Sequence, residues 1–229
     1  LEVILTGPDQ DLHSGLWGGR VPNPINELVK VLAQLWDQDR KVTIPNFYEG
    51  VRELKDSERK EWESLGVDPV KALQGIGMPA EANVGEKGFS AIEREWARPT
   101  CDLNGIIAGY TGPGAKTVIP SQASVKLSFR LVDDQDSERI AESVIAWFQE
   151  RTPPGCTWKF INHGGGAPAT CATESAPLQA AFRAIGKACG IQPAMIKSGG
   201  SIPVAGLLKT TVGLETIFMG FGLEDDRVH

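Results

Sequence analysis

Apolar and polar residues alternate from the first position, with Leu1, Val3 and Leu5 on one side, and the run stops at Gly7-Pro8; this predicts an opening β-strand. The period then changes. Ile25, Leu28, Val29, Leu32 and Leu35 recur at helical spacing behind Asn23, a capping residue, and Pro24, suited to the first helical position. From 42 to 99 the pattern weakens, broken by Pro45, Pro69, Pro79 and Pro99, with short helical pieces at Ser57 to Leu65 and Pro69 to Leu73; this stretch reads as an insertion. Asp102 to Ile107 reads as a strand, followed by the glycine-rich turn Thr111-Gly112-Pro113-Gly114. The clearest alternation comes next, with Val125, Leu127, Phe129 and Leu131 on one face and Ser124, Lys126, Ser128 and Arg130 on the other. Asp136 or Ser137 caps a second helix whose inward stripe is Ile140, Val144, Ile145 and Phe148, and Pro153-Pro154-Gly155 stops it before a strand from Thr157 to Ile161.

Strand, helix, strand, strand, helix, strand is the order of a ferredoxin-like α+β domain, an antiparallel four-stranded sheet with two helices on one face, here over residues 1–162. Beyond it, Asn162-His163-Gly164-Gly165-Gly166 reads as a loop. Ser175 and Pro177 open a helix with Leu178, Phe182, Ile185 and Cys189 inward and Gly190 as its stop. A short strand from Ala194 to Ile196, the loop Ser198 to Pro203 and an apolar strand from Thr216 to Phe221 complete residues 163–229, which read as a partial α/β domain with too few elements to cover a sheet.

Composition narrows the function. A formal charge of -6 with no run of basic residues leaves nothing to neutralise a line of phosphates, which argues against nucleic acid. No apolar run approaches the length that crosses a bilayer, and the start resembles mid-domain sequence rather than a signal peptide. Cys101, Cys156, Cys171 and Cys189 lie far apart with no Cys-x-x-Cys spacing, which suits reduced thiols in a cytoplasmic protein.

Candidate chemistry gathers on loops. His13 stands in Asp11-Leu12-His13-Ser14-Gly15-Leu16-Trp17-Gly18-Gly19, where glycines let the backbone turn tightly and approach a ligand; a loop histidine bonded to its own backbone would look the same. His163 sits among glycines that would equally serve a linker, and His229 ends an acidic stretch that reads as a frayed tail. Arg130 is either a solvated strand charge or a carboxylate clamp. Gly200 and Ser201 lie in a loop without the flanks of a nucleophile elbow, so hydrogen bonding rather than attack is expected there.

Five ordered motifs go further. Asp11-Leu12-His13-Ser14-Gly15 with Gly18-Gly19 and Asn23-Pro24, then Gly114 to Pro120, Arg130-Leu131-Val132, Gly199-Gly200-Ser201-Ile202-Pro203-Val204, and Gly220-Phe221-Gly222 leading to His229, resemble the dinuclear metallopeptidases of family 20, the carnosinase type related to acetylornithine deacetylase and carboxypeptidase G. The resemblance implies a lid, also the dimerisation domain, over residues 1–162, and a C-terminal piece of a catalytic domain over 163–229. It implies that His13 reaches into a partner subunit's active site to polarise the scissile carbonyl, that Thr117, Arg130 and Ser201 hold substrate, and that His229 is a metal ligand. Gly200 and His163 join them as substrate-contact candidates.

Relatives carry their other ligands in a His-x-Asp motif and a Glu-Glu pair that also supplies the general base; neither occurs here. The expectation is therefore a fragment of a homodimeric, cytoplasmic dipeptidase using two zinc or manganese ions, with this chain alone inactive and holding neither metal stably. The alternatives are an N-acyl amino acid deacylase of the same family and a non-catalytic ferredoxin-like association module. The dipeptidase reading expects His13, Thr117 and Arg130 to line one side of the lid.

Overall fold

The structure, a computed structural model, describes residues 1–132, 134–199 and 202–220, and the chain divides into two compact units, Leu1–Gly165 and Gly166–His229. In the first unit, β1 (Glu2–Thr6), β3 (Thr100–Ala108), β5 (Gln122–Arg130) and β6 (Thr157–Ile161) form an antiparallel sheet in the order β3-β5-β1-β6. With α2 (Pro24–Leu32) and α6 (Ser137–Glu150) between strands, this is the ferredoxin-like order expected from the alternation.

The helices form where their caps say they should. The Asn23 side chain accepts the Ile25 N–H at 3.0 Å, and Asp136 accepts those of Glu138 and Arg139 at 2.9 and 3.3 Å. The buried stripe of α2 is Leu28, Val31 and Leu32, continued by Leu35, whereas Val29 faces solvent. Positions 25, 28, 29 and 32 fit the i, i+3, i+4, i+7 spacing as well as 28, 31, 32 and 35 do, so packing on the sheet decides between Val29 and Val31. On α6 the inward residues are Ile140, Val144, Trp147 and Phe148, so Trp147 joins the stripe and Ile145 sits at its margin. These side chains pack on Val3, Leu5, Val125 and Leu127 from the sheet in one core.

The segment expected as an insertion has two parts. Val42, Ile44 and Phe47 belong to the main core, where the buried Gln135 amide donates to the Phe47 carbonyl at 2.6 Å. The remainder forms α3 (Asp56–Ser64), α4 (Pro69–Gly75), a 3-10 turn (Ala80–Ala82) and α5 (Ala91–Ala97), around a second core of Trp62, Trp96 and Ala97. The two indoles meet edge to face at 5.3 Å, and the buried Glu93 pairs with Arg59 while capping α5 with Ser90.

Two further elements escape any periodicity: β2 (Leu12–His13) and β4 (Val118–Ile119), which pair antiparallel as a separate two-stranded sheet. A short helix, α1 (Ser14–Trp17), follows β2 directly.

The second unit contains α7 (Ala176–Cys189) and α8 (Pro203–Val212), closed by Gly190 and Gly213 at φ of 71° and 69°. Neither expected strand is present among the described residues: 194–196 and 216–220 are irregular, and Phe221 lies outside them. A strand needs a neighbour for its ladder, and these segments have none in the described unit. Helix α8 instead occupies a stretch flanked by Pro203 and Gly213, the usual punctuation of a helix. Of the expected α7 stripe, Leu178, Phe182 and Ile185 are half-buried and Cys189 is exposed.

Candidate functional site

The His13 loop is tied down at both ends by contacts far apart in sequence. Gly7 N–H donates to the Ser121 carbonyl at 2.9 Å, and Ser121 N–H donates to the Asp11 carboxylate at 2.8 Å. Leu12 and His13 then pair with Ile119 and Val118, and Ser14 N–H donates to the Thr117 carbonyl at 3.0 Å. These bonds bring the Thr117 hydroxyl to 3.5 Å from His13 Nε2. The imidazole is exposed, standing at an open edge.

Glycine is required here at named places. A Cβ at Gly18 would lie 2.5 Å from the Ser14 carbonyl oxygen, and Gly19 has φ of +76°. Past the turn, Arg20 stacks on Trp17 at 4.7 Å. A hollow of about 270 Å³ on the sheet is lined by Asp11, Ser121, Ile4 and Ile107, without His13 or Thr117.

Arg130 ends β5 in register with Thr100 and is exposed. Gln122, beside the residue that fixes the His13 loop, begins the same strand. Eight strand steps of about 3.3 Å set the two ends roughly 26 Å apart. The structure thus brings His13 and Thr117 together and places Arg130 at the far end of β5, where one side of the lid was expected to carry all three.

His163 lies elsewhere again, with Nε2 at 3.5 Å from the Glu2 carboxylate at the start of β1, the end away from the His13 loop. Gly200, Ser201 and His229 lie outside the described residues. Asp11 and Ser121 were not singled out by sequence reasoning as the anchor of the loop; no local signal marks a bond between residues 110 positions apart.

Among the described residues no group of three or more His, Cys, Asp and Glu side chains is placed to hold a metal ion. The described donors therefore do not fit a two-metal centre. No described helix is long and apolar enough to cross a membrane.

Together, the four-stranded sheet and the loop-borne histidine define a ferredoxin-like domain that presents polar chemistry at its edge. Residues 1–156 match the family model of the peptidase dimerisation domain, and the chain belongs to this M20 peptidase family. It is 29% identical to the Cys-Gly metallodipeptidase of Candida albicans, over 100% of this chain and 47% of the relative. It is 27% identical to the human Beta-Ala-His dipeptidase, over 96% and 44%. Among solved structures, that of the Saccharomyces cerevisiae di-peptidase Dug1p superposes with a TM-score of 0.77 at 28% identity, covering 93% of this chain and 45% of that one. An M20 family metallo-carboxypeptidase from Sulfolobus solfataricus gives 0.76 at 30% identity, with coverage of 93% and 47%. The chain spans about half the length of the curated relatives it matches.

Proposed function

We propose that this chain is the dimerisation domain and part of the catalytic domain of a metal-dependent dipeptidase acting on dipeptides with a free C-terminal carboxylate. The observation that carries this reading is the exposed His13 imidazole beside the Thr117 hydroxyl, in a chain that aligns from end to end with a named metallodipeptidase. His13 donates a hydrogen bond to the carbonyl oxygen as negative charge develops on it, and Thr117 orients that oxygen. Arg130 pairs with the substrate carboxylate, for which a planar guanidinium is suited. Ser201, Gly200 and His163 are further substrate contacts. In the intact enzyme His229 would be one ligand of a site for two zinc or manganese ions, which when bound would supply the activation of water. This chain alone is inactive.

Geometry adds a condition. Two residues of extended peptide span at most about 7 Å, far less than the roughly 26 Å along β5. On this reading His13 and Arg130 of one chain serve different active sites, and each site in a twofold dimer takes His13 and Thr117 from one subunit and Arg130 from the other. A cytoplasmic setting agrees with four cysteines that are all free thiols.

The test is hydrolysis by the intact polypeptide, loaded with zinc or manganese, of Cys-Gly and β-Ala-His, their C-terminal amides, and N-acetyl amino acids. The free dipeptides are expected to be cleaved, with amides roughly tenfold to hundredfold poorer in kcat/KM. Faster cleavage of N-acetyl amino acids, or no dipeptide cleavage with either metal, overturns the reading.

A further inference from the structure

We infer that the backbone N–H of Gly15 fixes the tautomer of His13, making Gly15 a positioning residue that leaves the imidazole proton on Nε2. His13 caps the short helix α1, and the Gly15 N–H donates to His13 Nδ1 at 3.0 Å. A ring nitrogen that accepts an N–H carries no proton of its own. In the neutral ring the proton then sits on Nε2, the nitrogen that faces the Thr117 hydroxyl at 3.5 Å. That distance is beyond the usual range of an N–H···O bond. The Nε2–H is therefore held loosely by its own chain and is left open to an arriving oxygen atom.

The side chain at position 15 is excluded for the same reason. A Cβ there would stand 2.9 Å from His13 Cε1 and 3.1 Å from Nδ1, so any larger residue forces the ring off its seat. Glycine supplies the donor and vacates the space the imidazole needs. The Ser14–Thr117 bond and the β2–β4 pairing hold both sides of this arrangement, so ring and hydroxyl are set by one small piece of backbone. The consequence is a histidine prepared to donate, as polarising a carbonyl requires, rather than to take a proton as a general base. The assignment of the proton stands on the loop geometry alone; its use in catalysis rests on the dipeptidase reading.

Nitrogen-15 NMR of the ring of His13 in the whole chain tests it, with His13→Gln identifying the signals. At a pH where the ring is neutral, the expected result is an unprotonated Nδ1, a protonated Nε2, and a through-bond coupling from the Gly15 amide nitrogen to Nδ1. In Gly15→Ala the coupling is lost and the tautomer ratio moves to that of the urea-unfolded chain. A substantial Nδ1-protonated population in the wild-type chain, or an unchanged ring spectrum in Gly15→Ala, overturns the inference. Dipeptide hydrolysis by the intact His13→Gln enzyme is a separate readout: full activity there defeats the dipeptidase role of His13 whatever its tautomer, and lost activity with a protonated Nδ1 defeats only the inference.

Discussion

The two ends of β5 are built by different means. At the Gln122 end, a two-residue ladder, the Asp11–Ser121 bond and a glycine-rich turn hold an exposed imidazole against a hydroxyl. At the Arg130 end, the residue occupies a regular rung of the main sheet paired with Thr100, one rung from the buried Cys101 and the half-buried Phe129. A loop pinned by a few specific hydrogen bonds can aim a donor, and a rigid strand can fix a charge. On the proposed reading, the difference teaches that one domain presents two separate halves of a site, neither sufficient for a small substrate.

The largest effect expected from breaking this contrast comes from the loop end. In the intact enzyme, His13→Ala should lower kcat by about 10²–10³-fold with little change in KM, because the lost donor acts on developing charge. The fold should survive, since the ring is exposed. The strand end should answer in the other parameter: Arg130→Ala raises KM for free dipeptides roughly tenfold to hundredfold and has little effect on their C-terminal amides. Steady-state kinetics on paired substrates separates the two ends; equal losses in kcat and KM for both variants would erase the distinction.

A third effect belongs to alkaline pH and is led by the strand end. Burial, with a smaller contribution from Asp102, pushes the Cys101 thiol up from 9.0 to about 12. The folded state keeps the proton that the unfolded chain releases, so this stability is fully present below pH 9 and declines as pH rises from 9 toward 12. The slope approaches about 1.4 kcal/mol per pH unit for one group. Burial raises Tyr48 and Cys156 as well, which adds in the same direction. Urea titrations of this chain at successive pH values should show the decline, and Cys101→Ala should flatten part of it. The smallest effect is at the loop anchor: Asp11→Ala leaves the Ser121 N–H without its acceptor and should cost about 1 kcal/mol of stability, with a several-fold loss of kcat as the loop loosens.

How much of this was legible depends on the range of the interaction. β1, β5, β6, α2 and α6 announce themselves through alternation and through Asn23, Asp136 and Pro153-Pro154, because their determinants are local. Strands β2 and β4 have two residues each and no period, and they exist only because residues about 105 apart meet. Val29 and Val31 are equally apolar, and only packing on the sheet decides which turns inward. In the second unit the apolar segments at 194–196 and 216–220 look like strands, but no partner strand is described for them. His13 was visible as a histidine amid glycines, whereas Thr117 gained meaning only from the family motif, and its closeness to His13 only from the fold.

The most direct test of the shared site uses mixed dimers of the intact enzyme. A His13→Ala subunit and an Arg130→Ala subunit, given different affinity tags, are purified as the mixed pair. One of its two sites then draws the normal His13 and the normal Arg130 from opposite subunits, and the other has neither. At substrate concentrations well below KM, about half of the wild-type rate per dimer is expected from one intact site in two. A mixed dimer no more active than either variant alone would place His13 and Arg130 of one chain in the same site and contradict the account.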